Sequence, residues 1–123
     1  MADLFCDPME IGVDCVEIKR FLQFENDMPF LSKIFTDNEI GYCQKKKKNI
    51  SQHLAVRFAG KEAVIKAISH YGIQLSPKQI EIINDTSGIP LVNLPAEHNN
   101  TYKVKISLSH SDELALAFVI IDT

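Results

Sequence analysis

The sequence predicts an α+β domain, an antiparallel sheet packed against one long central helix, and three patterns carry that expectation. A strand-like apolar run stands near the N-terminus, a block of helical periodicity follows, and beyond Pro77 the apolar period changes to two. With 123 residues and 46% apolar composition, the chain fits a single domain, 1–123, with one core and no internal boundary.

Met9 to Ile18 reads as the first strand, with Gly12 inside it and Asp14 near its end. Gly12 would let another backbone or a ligand come close. Phe21, Leu22 and Phe24, then Phe30, Leu31, Ile34 and Phe35, supply the apolar faces of short helices, and Pro29 suits a helix start. Thr36-Asp37-Asn38-Glu39 is a capping box, threonine accepting from the amide three residues on while Glu39 reaches back. Asn49-Ile50-Ser51-Gln52 repeats that logic and opens a long helix that ends near Gly72, with Leu54, Phe58, Ile65 and Ile68 facing the core. Strands are expected over Gln79 to Ile83, Ile89 to Leu94, Tyr102 to Ser109 and Leu114 to Ile121. Asn84-Asp85-Thr86-Ser87-Gly88 signals a hairpin turn, and residues 93–100 form a looser connection.

Several classes drop out on composition. Cys6, Cys15 and Cys43 have no metal-ligand spacing, and their odd number argues against a disulfide framework. No apolar run approaches the roughly 18 residues needed to span a bilayer, and the N-terminus does not read as a secretion signal, so a soluble, cytoplasmic protein is expected. The net charge of −3 disfavours nonspecific nucleic-acid binding. That charge is uneven: residues 41–66 hold Lys45, Lys46, Lys47, Lys48, Arg57, Lys61 and Lys66 against Glu62 alone, whereas the remainder holds six cations and fifteen anions. A basic surface on an acidic body implies an anionic ligand or an acidic partner protein, although a four-lysine run also suits a plain solvated loop.

The basic segment contains Arg57-Phe58-Ala59-Gly60-Lys61-Glu62-Ala63-Val64-Ile65-Lys66-Ala67, one carboxylate among three cations. Glu62 and Lys66 stand one helical turn apart, and Ala55 and Ala59 continue the stripe with little bulk, a bed for a long polyanion. Taken alone, the segment reads more readily as an ordinary i,i+4 salt bridge on a solvated helix face. Asp14 either caps the following helix or joins Glu62 as a hard oxygen ligand for a divalent cation. Magnesium fits such a pair, because it takes one or two protein carboxylates and fills its octahedron with water and phosphate oxygens. His110 closes a strand at the start of a turn, where a functional or a structural histidine would both fit, and His53, His70 and His98 read as exposed polar positions.

Five segments together resemble a known family. They are Ile11-Gly12-Val13-Asp14-Cys15-Val16-Glu17-Ile18, Phe35 to Cys43, Arg57 to Ala63 with Lys66-Ala67, Ile80 to Asp85 with Gly88 and Pro90, and Ser107-Leu108-Ser109-His110-Ser111. Their order and spread over almost the whole chain are similar to those of the holo-acyl-carrier-protein synthases, the short type of 4′-phosphopantetheinyl transferase. The resemblance implies transfer of 4′-phosphopantetheine from coenzyme A to a serine of apo-acyl carrier protein in fatty acid biosynthesis, releasing adenosine 3′,5′-bisphosphate. By motif, Asp14 and Glu62 would hold Mg2+, Lys66 would neutralise the pyrophosphate, and Arg57, Lys61 and His110 would surround the coenzyme. Gly88 to Pro90 would lie near the adenine, and Arg20 would meet the acidic helix of the carrier. The family's short members are typically homotrimers with active sites between subunits. Two positions depart from its pattern: Gly60 stands where alanine is usual, and Cys15 where an aliphatic residue is usual.

Transfer of this kind rests on positioning and electrostatic stabilisation, so a metal and several cations are adequate equipment. Glu62, Lys66 and a water on the metal are alternative acceptors for the serine proton. The rival reading is a noncatalytic module that binds an acidic protein through Lys45 to Lys48 and Arg20. A magnesium-dependent nucleotide hydrolase lacks the G-x-x-x-x-G-K-[ST] loop that would cradle its phosphates.

Overall fold

The alternating N-terminal run forms β1 (Met9–Glu17) in a computed structural model that describes residues 9–123; Cys6 lies outside the described residues. A 3-10 helix (Ile18–Phe24) leads to α1 (Met28–Ile34), where Asp27 accepts from the Phe30 amide and proline occupies the first turn. At α2 (Asp37–Gln44) both halves of the capping box form: Thr36 Oγ1 accepts from Glu39 N at 3.3 Å, and Glu39 Oε1 from Thr36 N at 2.9 Å. A 3-10 turn (Lys47–Asn49) delivers the chain into α3 (Ile50–Ser69), the long central helix. Here the expected second capping box is absent. Asn49 makes no side-chain cap; Glu25, from the loop before α1, instead accepts from the Ser51 amide at 3.2 Å.

After the 3-10 turn Pro77–Gln79 come β2 (Glu81–Asn84), β3 (Pro90–Asn93), the one-turn helix α4 (Ala96–Asn99), β4 (Lys103–His110) and β5 (Leu114–Asp122). The strands divide into two antiparallel sheets, β1-β5-β4 and β2-β3. The hairpin turn forms as expected, with Asp85 Oδ1 accepting from the Ser87 and Ile89 amides and Gly88 at φ 85°. β2 needs no further strand, because side chains satisfy its outer edge: the Ile82 amide donates to Glu39 Oε2 at 2.8 Å, and Ile80 O accepts from the Lys61 ammonium.

The core lies between α3 and the β1-β5-β4 sheet, with Phe35, Leu31 and Phe21 closing one end. Each such apolar side chain, fully buried, stabilises by roughly 1.5–3 kcal/mol. Leu54 and Ile68 of α3 are buried as expected, but Phe58 and Ile65 are only partly covered. The deepest contacts belong instead to Ala55, Ala59, Ala63 and Ala67, which meet a sheet face of Ala115, Ala117, Val119 and Ile121. The alanine stripe is therefore covered by sheet and offers no bed for a ligand, a correction to the sequence-based expectation. Gly12 serves the same close approach, since a Cβ there would overlap the Ala63 carbonyl oxygen. Gly60 makes room for Ile82 and Ile106.

Candidate active site

α3 carries two groups of functional side chains. Arg57 and Lys66 are nine residues apart, about 180° around the helix axis, so the groups face opposite ways. On the β1 side stand Asp14, Glu62 and Lys66. Asp14 lies within the strand, opposite Ala117, and caps no helix. Lys66 Nζ donates to Asp14 Oδ1 at 2.9 Å and to the Val13 carbonyl at 3.0 Å, a bridge of helix to strand rather than the i,i+4 pair with Glu62. Burial pushes the Glu62 carboxyl up; the Asp14 charge adds to that shift, and Lys66 and Arg20 oppose it. Among the described residues no cluster of three or more His, Cys, Asp and Glu side chains offers a metal site. Asp14, held by Lys66, and Glu62, near enough to feel the Asp14 charge, do fit a metal that asks for no more than two protein ligands.

The other face borders a cleft of about 410 Å³ lined by α3, the β2-β3 hairpin and β4. Arg57, Gly88, Pro90 and His110 meet there, together with Tyr42, Gln52, His53 and Asn84. Arg57 is buried, its guanidinium 4.1 Å from the Tyr42 ring centroid and hydrogen bonded to Asn84 Oδ1, while its Nε lacks a protein acceptor. Asn84 in turn donates to Gly88 O at 2.9 Å, fixing the hairpin tip beside the arginine. Gln52 Nε2 lies 3.0 Å from His110 Nε2. Lys46, alone of its run, caps the Tyr42 ring, 4.7 Å from its centroid.

Lys61 does not join either group. Its side chain is 0% exposed and its ammonium is 2.6 Å from Glu39 Oε1, with the Pro77 and Ile80 carbonyls as further acceptors. The expectation that Lys61 faces the coenzyme is corrected: three protein acceptors fill its donor capacity inside the core. Arg20 is exposed at the 3-10 helix after β1, 5.9 Å from the Phe58 ring centroid.

His53 is not the exposed polar position expected of it. It sits edge-on to Tyr42 in the cleft wall, and burial, with Arg57, Lys46 and His110 nearby, holds its pKa at about 4. Gln52, His53 and Val56 recur at helical spacing beside Arg57, a signal the sequence did contain. An unfolded histidine titrates near 6.5, so between that pH and about 4 the unfolded chain binds the extra proton. This group therefore contributes stability above the window that is lost as pH falls through it. Urea unfolding at pH 7 and pH 4.5 is expected to show a smaller acid-induced loss for His53→Gln than for the wild type; equal losses would contradict the placement.

A cleft lined by Arg57 and His110 on one face of α3, with a carboxylate pair on the other, on an α+β frame of this topology, suits a transferase that handles a phosphate-bearing substrate. The chain belongs to the 4′-phosphopantetheinyl transferase superfamily, whose model matches residues 10–119. Its relatives narrow the class. Holo-[acyl-carrier-protein] synthases are 42% identical in Chloroherpeton thalassium, over 93% of this chain and 98% of that protein, and 37% identical in Geotalea daltonii, over 90% and 95%. Among solved structures, the holo-(acyl-carrier-protein) synthase of Bacillus anthracis in complex with CoA (3′,5′-ADP) superposes with a TM-score of 0.77 at 32% identity, covering 93% of this chain and 96% of that one. The Helicobacter pylori enzyme in complex with coenzyme A gives 0.77 at 33% identity, covering 91% and 99%.

Proposed function

We propose that the chain, acting as one domain over residues 1–123, transfers 4′-phosphopantetheine from coenzyme A to a serine of apo-acyl carrier protein, in the cytoplasm and in the service of fatty acid biosynthesis. The observation that carries the reading is the pair of α3 faces, one with carboxylates and a lysine, the other with a buried arginine that keeps a free donor. The serine oxygen attacks the phosphorus that bears the pantetheine arm, the bond to the bridging oxygen breaks, and adenosine 3′,5′-bisphosphate leaves. Arg57 and His110, with Gly88 and Pro90, line the cleft that takes the nucleotide end. Asp14 and Glu62 would hold Mg2+, which would supply positive charge to the phosphate oxygens of adenosine 3′,5′-bisphosphate as it leaves. Lys66 adds its charge beside them. Arg20, exposed next to the carboxylate side, would receive the acidic carrier.

Opposed half-sites on one helix favour a site shared between copies. The outer sheet face supports this, since Ile11, Val13 and Phe118 stand 60%, 52% and 42% exposed beside Leu114 and Leu116, an apolar patch that a homotrimer would cover. The test is complementation. Glu62→Gln and Arg57→Ala, each inactive alone, are expected to recover carrier modification when co-expressed, because some interfaces then pair an intact carboxylate side with an intact cleft. A mixed assembly as inactive as its parents would place each site within one chain.

A further inference from the structure

We infer that Lys66 is an internal stand-in for the divalent cation, which must displace it from Asp14 before the lysine can serve a phosphate. The inference rests on the reading of Asp14 and Glu62 as metal ligands and says how that site is regulated. Lys66 is 54% exposed along its side chain, yet its ammonium does not extend into solvent; it turns back onto Asp14 Oδ1 and the Val13 carbonyl, 2.9 and 3.0 Å away. Asp14 is only 18% exposed, so its bonded oxygen is the one aimed at the helix. Glu62 stands one turn before Lys66 on α3, so its carboxylate belongs to the same face of the helix as the Lys66–Asp14 pair. Lys66 supplies the only ammonium that touches Asp14 among the described residues.

An ion shared with Glu62, which stands on α3 one turn before Lys66, would take the Asp14 oxygen that faces the helix, and that is Oδ1. A divalent ion about 2.1 Å from Asp14 Oδ1 and an ammonium 2.9 Å from it would be like charges within a few ångströms, so one excludes the other. Lys66 can leave readily, because its stem is already in solvent and the displaced ammonium returns to water. The released ammonium would then stand one turn from Glu62, itself engaged with the ion, and would be free for an anion brought in with the metal. Metal binding and pyrophosphate recognition become coupled through a single side chain.

Manganese titrations followed by electron paramagnetic resonance test this without turnover. Lys66→Met is expected to bind Mn2+ about two- to fivefold more tightly than the wild type in the absence of coenzyme, and to bind coenzyme A more weakly in the presence of metal. In the wild type, Mg2+ should move the Hε–Cε signal of Lys66, and should leave it unmoved in Asp14→Asn. Unchanged or weaker Mn2+ binding by Lys66→Met, with Asp14→Asn having lost the ion, overturns the displacement while keeping the metal site. Full Mn2+ affinity in Asp14→Asn overturns both.

Discussion

Glu62→Gln is expected to reduce carrier modification by at least about a hundredfold while the protein folds normally. Glutamine keeps the shape of the side chain and removes the charge that a divalent ion needs. The folded state loses nothing by the change, because burial and Asp14 already oppose ionisation of Glu62. Initial rates with apo-carrier and coenzyme A, beside thermal unfolding of the same preparation, check both halves. A rate near that of the wild type would remove Glu62 from the reaction.

Lys61→Met should act in the opposite sense, on the fold first. It leaves Glu39 charged inside the core, with the Ile82 and Thr36 amides as its remaining donors and the Ile80 and Pro77 carbonyls stripped of the ammonium. Breaking a buried pair in this way costs about 3–5 kcal/mol, and removing the second charge with Glu39→Gln is expected to restore a large part of it. Urea unfolding of the single and double variants measures the difference. A Lys61→Met protein of unchanged stability with weakened coenzyme binding would instead return Lys61 to the nucleotide site.

Lys61 also shows where sequence reading stops. Arg57, Lys61 and Lys66 are alike in a string of letters, and the motif placed all three around one ligand. The fold sends them in three directions: to the cleft, into the core and onto Asp14. Local signals carried well where the determining contacts are local, as at the capping box of Thr36, the first-turn proline of α1 and the Asp85–Gly88 turn. They failed at Asn49, where Glu25 from another segment caps α3, and they did not reveal that the strands divide into two sheets. The alanine stripe misled for the same reason. Small residues permit either a ligand or a sheet to approach, and only Gly12 and the alanines of β5, far away in the chain, decide for the sheet.

The site was legible in outline. Asp14, Glu62 and Lys66 converge, and Arg57, Gly88, Pro90 and His110 converge, but that these are two opposed groups follows from helix geometry once both ends of the sheet are placed. His53 escaped because it was read singly, although its spacing from Arg57 put it on the cleft side.

The central claim is tested most directly by intact-mass spectrometry of apo-acyl carrier protein incubated with this protein, coenzyme A and Mg2+. The carrier is expected to gain the mass of one 4′-phosphopantetheine group, with adenosine 3′,5′-bisphosphate released in equal amount and no gain in a carrier whose acceptor serine is alanine. A panel of apo-carriers that all keep their mass under these conditions would contradict the account.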